Sequence, residues 1–278
     1  MNKKLVSVCL SLAMAVNPMV SYVASAAEAE SEIETETEGL TPGEAEYNDG
    51  MTVFREGDYE TSTVCFLAGA MLGNVDAMEM LADAYLNGKG TEVNYEEALK
   101  WLEAAIDLGN ARSCTYMGQM YMDGLGVEQD YETALEWFIE ATERGDFKGA
   151  RYAGVIYEEG PGDIEVDYEK ALEYYQIGAD GGDSSALYYL GHLYEEGLGV
   201  DQDYELAAEY YTEFAETVLE SGHTSQAGAV QAIVALANLY EQGLGVDQDI
   251  DKALELYEAA AEAGDEDAQE AVERLQNE

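Results

Sequence analysis

Tyrosine returns at nearly fixed intervals through most of the chain. Tyr85, Tyr121, Tyr157, Tyr194 and Tyr240 stand 36, 36, 37 and 46 residues apart. A period of this length marks an array of short units, each burying its apolar face only against its neighbours. Other columns keep step. Three residues after each tyrosine comes Gly-x-Gly, as in Gly88/Gly90, Gly124/Gly126, Gly160/Gly162, Gly197/Gly199 and Gly243/Gly245. A short polar residue follows (Asn94, Asp130, Asp167, Asp203, Asp249), and four residues later an alanine (Ala98, Ala134, Ala171, Ala207, Ala253). Paired bulky positions complete each unit: Trp101-Leu102, Trp137-Phe138, Tyr174-Tyr175, Tyr210-Tyr211 and Leu256-Tyr257.

Each column has a physical reading. Ala77, Leu81, Ala82 and Tyr85 fall at helical spacing, so the residues before the marker tyrosine form an amphipathic helix, A. The glycine pair ends it, where positive φ costs least. The Asn or Asp column caps a second helix, B, by accepting from free first-turn amides, and Asn94 with Glu97 has the spacing of a capping box. Helix B carries the alanine and the bulky pair and stops at Gly109, Gly145, Gly182 or Gly264. The marker tyrosines and Trp137 read as core, so truncating Trp137 is expected to cost about 3–5 kcal/mol.

Segments such as Tyr116 to Gly145, "YMGQMYMDGLGVEQDYETALEWFIEATERG", resemble the Sel1-like repeat, a relative of the tetratricopeptide repeat. The resemblance covers about Asn74 to Asp265 in five units. Residues 43–73 look like a preceding tetratricopeptide-like unit with a shorter inter-helix turn, and residues 266–276 like a capping helix. The fold so implied is all-α, a right-handed α-solenoid whose concave face, lined by A helices, holds protein partners. Some cysteine-rich exported relatives bind or slowly hydrolyse β-lactams, which gives the alternative reading of a cell-wall-related or β-lactam-active hydrolase. This chain lacks their cysteine pairs.

Residues 1–26 read as a signal peptide: Lys3 and Lys4, an apolar stretch from Leu5 to Val16, and Ala24-Ser25-Ala26 as a cleavage motif. Residues 27–42 belong to an acidic stretch that buries too little apolar surface to order itself and read as a linker. The repeat array is then 43–278, without a transmembrane anchor after cleavage and placed outside the cytoplasm, secreted or in the cell envelope. Charge narrows the partners. With 12 Lys+Arg against 59 Asp+Glu, the formal net charge is -47. Such a field repels nucleic acid and anionic membrane surfaces and favours a protein or peptide with a basic segment.

No nucleophile motif, phosphate loop or dinucleotide fingerprint is present, so the chain reads as a non-enzymatic scaffold with no cofactor. His192 and His223 are the only histidines, and no paired-His or Cys-x-x-Cys spacing indicates a metal site. Cys65 and Cys114 read as buried thiols. Asp247, Asp249, Asp251, Glu255 and Glu258 match five EF-hand positions, yet Lys252 replaces the turn glycine, and the stretch coincides with a helix-B start. Partner specificity is sought in columns that vary while the packing columns hold. Six and two residues before the marker tyrosine, one helix-A stripe presents Thr115, Gln119, Arg151, Tyr188, His192 and Asn238 as partner-binding candidates, or as ordinary surface drift. The wider spacing before Tyr240 implies an insertion that either lengthens the flanking helices, breaking at Gly222, or forms a loop.

Overall fold

The computed structural model of the chain describes residues 40–277, except positions 223 and 225. The expected signal peptide, most of the acidic linker and His223 lie outside the described residues. Among these residues the chain forms thirteen α-helices and no strand, an all-α repeat solenoid fold. The helices are α1 (Glu44–Arg55), α2 (Tyr59–Met71), α3 (Val75–Asn87), α4 (Tyr95–Asp107), α5 (Ala111–Asp123), α6 (Tyr131–Glu143) and α7 (Lys148–Glu159). Then follow α8 (Tyr168–Asp180), α9 (Ser185–Glu196), α10 (Tyr204–Ser221), α11 (Ala229–Gln242), α12 (Ile250–Glu262) and α13 (Glu266–Leu275). Odd numbers up to α11 are A helices, even numbers are B helices, and α13 is the cap. The chain divides into two compact units, one through Gln129 and one from Asp130 onward. Within each, a helix packs chiefly on its neighbours in sequence, the contact pattern of a solenoid.

The polar column caps the B helices. Asn94 accepts from the Glu97 amide, Asp130 from Glu132 and Thr133, Asp167 from Lys170, Asp203 from Leu206 and Asp249 from Lys252. Each such cap contributes about 1 kcal/mol. The capping box is only half formed. The Asn94 amide donates to the Tyr85 carbonyl at 2.9 Å, closing the turn, and the Glu97 carboxylate pairs instead with Lys100. Asp249 thus has the helix-capping role, and no metal-binding cluster occurs among the described residues. One turn residue escaped the column analysis. Gln129, Gln202 and Gln248 each donate from Nε2 to a carbonyl at the end of the preceding A helix, at 2.7–2.8 Å.

The second glycine of each turn is required by space as well as by φ. At Gly245, φ is 69°, and a Cβ would lie 2.2 Å from the Tyr204 carbonyl oxygen, the backbone of the preceding repeat's B helix. Gly90 meets Tyr59 in the same way in the first unit. The Gly-x-Gly motif therefore docks one repeat on the previous one besides ending a helix.

The alanine column is fully buried, and the core is built around the second member of each bulky pair. Leu102, Phe138, Tyr175, Tyr211 and Tyr257 are all buried, whereas Trp101, Trp137, Tyr174 and Tyr210 are only partly so. The expectation that Trp137 is core is corrected on this point: helical rotation turns Phe138, one residue later, into the repeat and leaves the indole at the margin. The marker tyrosines also stand at the margin. Tyr157 stacks on Tyr174 with centroids 5.6 Å apart, and Tyr194 on Tyr210 at 5.8 Å. The insertion before α11 lengthens α10 to 18 residues and ends it at Gly222. Gln226 then donates to Ser184, and Gly228 packs against Tyr188, tying the segment back to α9. Cys65 and Cys114 are both buried thiols, as read. No helix among the described residues is long and apolar enough to cross a membrane.

Candidate interaction face of the A helices

The six candidate residues separate into two environments. The column six residues before the marker tyrosine largely turns inward: Thr115 and Arg151 are buried, as is Glu79 in the same column, while Tyr188 is half-buried. These side chains tie one repeat to the next. In the first unit, Glu79 accepts from Asn110 at 3.1 Å and from Arg112 at 2.9 Å, both at the start of the following A helix. In the second, Arg151 Nε donates to Asp183 at 2.7 Å, and its guanidinium lies 4.4 Å from the centre of the Tyr152 ring. Acid and base have exchanged sides between the two clamps. Variation in this column thus records junction packing, and Arg151 and Thr115 offer a partner little surface.

The column two residues before the marker tyrosine is half-buried and faces outward. It holds Gln119 in the first unit and His192 and Asn238 in the second. His192 Nε2 is 3.7 Å from a Glu158 carboxylate oxygen and stacks near Tyr188, with centroids 6.4 Å apart. Asn238 Oδ1 accepts from the Tyr257 hydroxyl at 2.7 Å. Alongside runs a column that the sequence analysis missed: Tyr116, Tyr152 and Tyr189, each five residues before a marker tyrosine and each half-buried. Tyr152 stacks on Phe138 at 4.9 Å and Tyr189 on Tyr175 at 4.8 Å, so both rings are fixed by aromatics of the preceding B helix. Their 36- and 37-residue recurrence was available in the sequence but was overshadowed by the marker column.

A second missed pattern supports this face from below. The residue after the marker tyrosine is Leu86, Met122, Glu158, Glu195 and Glu241 along the array, while the buried B-helix position is Leu102, Phe138, Tyr175, Tyr211 and Tyr257. Apolar residues pair with apolar columns, and glutamates with tyrosines. Tyr175 donates to Glu158 at 2.5 Å, Tyr211 to Glu195 at 2.7 Å and Tyr257 to Glu241 at 2.9 Å. Gly154 and Gly191, four residues before Glu158 and Glu195, give the Tyr175 and Tyr211 rings room. Burial, and then the adjacent carboxylate, hold the Tyr175, Tyr211 and Tyr257 phenols well above the ordinary tyrosine range.

The sign of the pH effect follows. Below the unfolded tyrosine value of about 10 these phenols are neutral in both states, and their contribution is fully present. As pH rises beyond it the unfolded chain releases protons that the folded chain retains, so stability falls. Part of the phenolate absorbance is therefore expected to arrive together with the loss of helical circular dichroism. Complete tyrosine titration with helix content intact would contradict the buried pairs.

Five segments match the family model for the Sel1 repeat: residues 75–110, 111–146, 148–183, 184–216 and 230–265. The chain is similar in structure to a Sel1 repeat protein from Oxalobacter formigenes, with 29% identity, a TM-score of 0.70, and coverage of 80% of this chain and 86% of that one. It is likewise similar to a protective antigen of uropathogenic Escherichia coli strains displaying an SLR fold. That match has 29% identity and a TM-score of 0.69 and covers 84% of this chain; the chain spans about half, 48%, of that antigen's length. An immunity protein of Pseudomonas aeruginosa, 18% identical with a TM-score of 0.51 over 86% of this chain and 83% of that one, shares the fold. No curated protein matches the sequence. The Sel1 repeat fold is typical of protein–protein interaction scaffolds and is generally non-catalytic. With five consecutive repeats over more than half its length, the chain belongs to the Sel1 repeat family.

Proposed function

We propose that this protein is an exported, non-enzymatic scaffold that holds a protein or peptide bearing a basic segment on the outward face of its A helices. The observation that carries the reading is the outward column of fixed tyrosine rings and half-buried polar groups on a chain of net charge -47. Rings fixed by packing lose little freedom on binding, so their exposed edges can contact a partner at small entropic cost. The surrounding negative field speeds the approach of a basic partner and disfavours acidic ones. Export rests on Lys3, Lys4, the apolar stretch from Leu5 to Val16 and Ala24-Ser25-Ala26, and the mature protein is expected to begin at Ala27.

Affinity capture from envelope and secreted proteins, with the chain as bait and stepwise salt elution, tests the binding role. The expected result is one partner kept at moderate salt and lost with the Tyr189→Ala/His192→Ala variant, both changes lying on α9 of the second unit. A broad set of basic proteins released together at low salt, equally from both baits, would show that bulk charge and not a face is binding. Nitrocefin turnover by the purified chain would overturn the non-enzymatic reading.

A further inference from the structure

Each glutamate that accepts from a buried tyrosine faces one position of the next helix of the A series. Arg274 stands nine residues after Asp265 on α13, and His192 nine after Asp183 on α9, so the two hold the same place. Arg274 Nη2 lies 2.8 and 2.9 Å from the two carboxylate oxygens of Glu241, while Tyr257 donates to the same carboxylate. A tyrosine, a carboxylate and a permanent cation thus link α11 to α13. His192 stands in the same relation to Glu158: its Nε2 is 3.7 Å from Oε1, and Tyr175 donates to Oε2. At Glu195 the corresponding residue is Asn238, whose side chain accepts from Tyr257 instead. The three tyrosine–glutamate pairs of the second unit therefore meet an imidazole, an amide engaged elsewhere and a guanidinium.

Carboxylates and neutral hydroxyls surround His192. Glu158 faces it from α7, and from α8 comes the Tyr175 hydroxyl bonded to that carboxylate. On α9 itself the Tyr188 ring stacks near it, with Glu195 and Glu196 following within one turn. From α10 comes the Tyr211 hydroxyl, bonded to Glu195, and on α11 Glu241 is already held by Tyr257 and Arg274. Arg151, the cation of the same junction, is held by Asp183. Histidine is the side chain whose charge ordinarily changes between about pH 5 and 8. At 3.7 Å a neutral ring makes no hydrogen bond to Glu158, whereas a charged one can do there what Arg274 does at Glu241.

We propose that His192 is an acid-operated clamp: on acidification its imidazolium closes on Glu158 and completes, between α7 and α9, the link that Arg274 completes permanently between α11 and α13. Its contribution is present at low pH and lost as the ring gives up its proton. The inference stands on the geometry of this junction and not on the scaffold reading, to which it adds a switchable charge on the A-helix face. A double-substitution cycle on the full chain tests it. His192→Gln and Glu158→Gln are made singly and together, and urea unfolding is followed at about pH 5.5 and about pH 8, on either side of the ordinary histidine range. Glutamine at position 158 keeps an acceptor for the Tyr175 hydroxyl, so the cycle isolates the ionic contact. The expected result is a coupling of about threefold or more in the unfolding constant at the lower pH, the size of a partly exposed ion pair, and none at the higher. With His192→Arg as the starting chain, the coupling should appear at both pH values. Additive effects at the lower pH, or equal coupling at both pH values in the histidine chain, would overturn the clamp. So would additivity in the His192→Arg chain, which would show that this position does not reach Glu158. Since no partner enters the experiment, each of these results leaves the scaffold reading as it is. That reading fails separately, by the absence of any selectively captured partner.

Discussion

Arg151→Ala is expected to destabilise the second unit by about 3–5 kcal/mol, because it strands the Asp183 carboxylate in the interior. The two side chains are only 8% and 6% exposed, and their 2.7 Å contact is shielded from solvent. A surface ion pair of the same length would contribute about 0–1 kcal/mol. The loss includes the guanidinium packed over Tyr152. Arg151→Met combined with Asp183→Leu should recover most of the stability, since apolar side chains of similar size remove the unpaired charge together with the pair. Urea denaturation of the single and double variants checks both statements. A single-variant cost below about 0.5 kcal/mol, the range of an ordinary surface change, would contradict the clamp.

Phe138→Ala should cost about 3–5 kcal/mol, and Trp137→Ala less than half as much. Phe138 is completely buried and stacks on Tyr152, so its removal leaves a cavity beneath the A-helix face. The Trp137 indole is partly exposed, and water can take up part of the vacated space. Because solenoid repeats are stabilised by their neighbours, the Phe138 loss should spread beyond its own repeat and broaden the unfolding transition. Parallel thermal melts of the two variants measure the difference. A larger loss at Trp137 would reverse the assignment of the buried column.

The repeat and its helices were legible because their signals are local. Glycines at fixed spacing stop the A helices, a capping Asn or Asp starts the B helices, and alanine permits close approach wherever it recurs. The insertion was legible only as two alternatives, lengthened helices or a loop; it lengthens α10 to Gly222, while α11 keeps nearly the length of the other A helices. Burial within the bulky pair was not legible. Adjacent helical positions differ by about 100° in direction, and only the neighbouring repeat decides which of Trp137 and Phe138 turns inward. The candidate face was half legible for a related reason. Columns six and two residues before the marker tyrosine do share a helix side, yet the first meets the next repeat and the second meets solvent. Arg151 looked like a recognition residue because nothing near it in sequence announces Asp183, 32 residues later. The Tyr–Glu pairing was written in the sequence as two columns that change together, and finding it required comparing columns across helices.

Hydroxyl-radical footprinting of the chain with and without its captured partner tests most directly whether the A-helix face is the one used. Tyrosine side chains lie on both candidate surfaces and His192 on the A-helix face, so each reports on its own solvent access. The expected result is reduced labelling of Tyr152, Tyr189 and His192, with the marker tyrosines Tyr157, Tyr194 and Tyr240 labelled as before. Protection of the marker tyrosines with Tyr189 and His192 unchanged would place the partner on the opposite margin of the repeats and contradict the A-helix face.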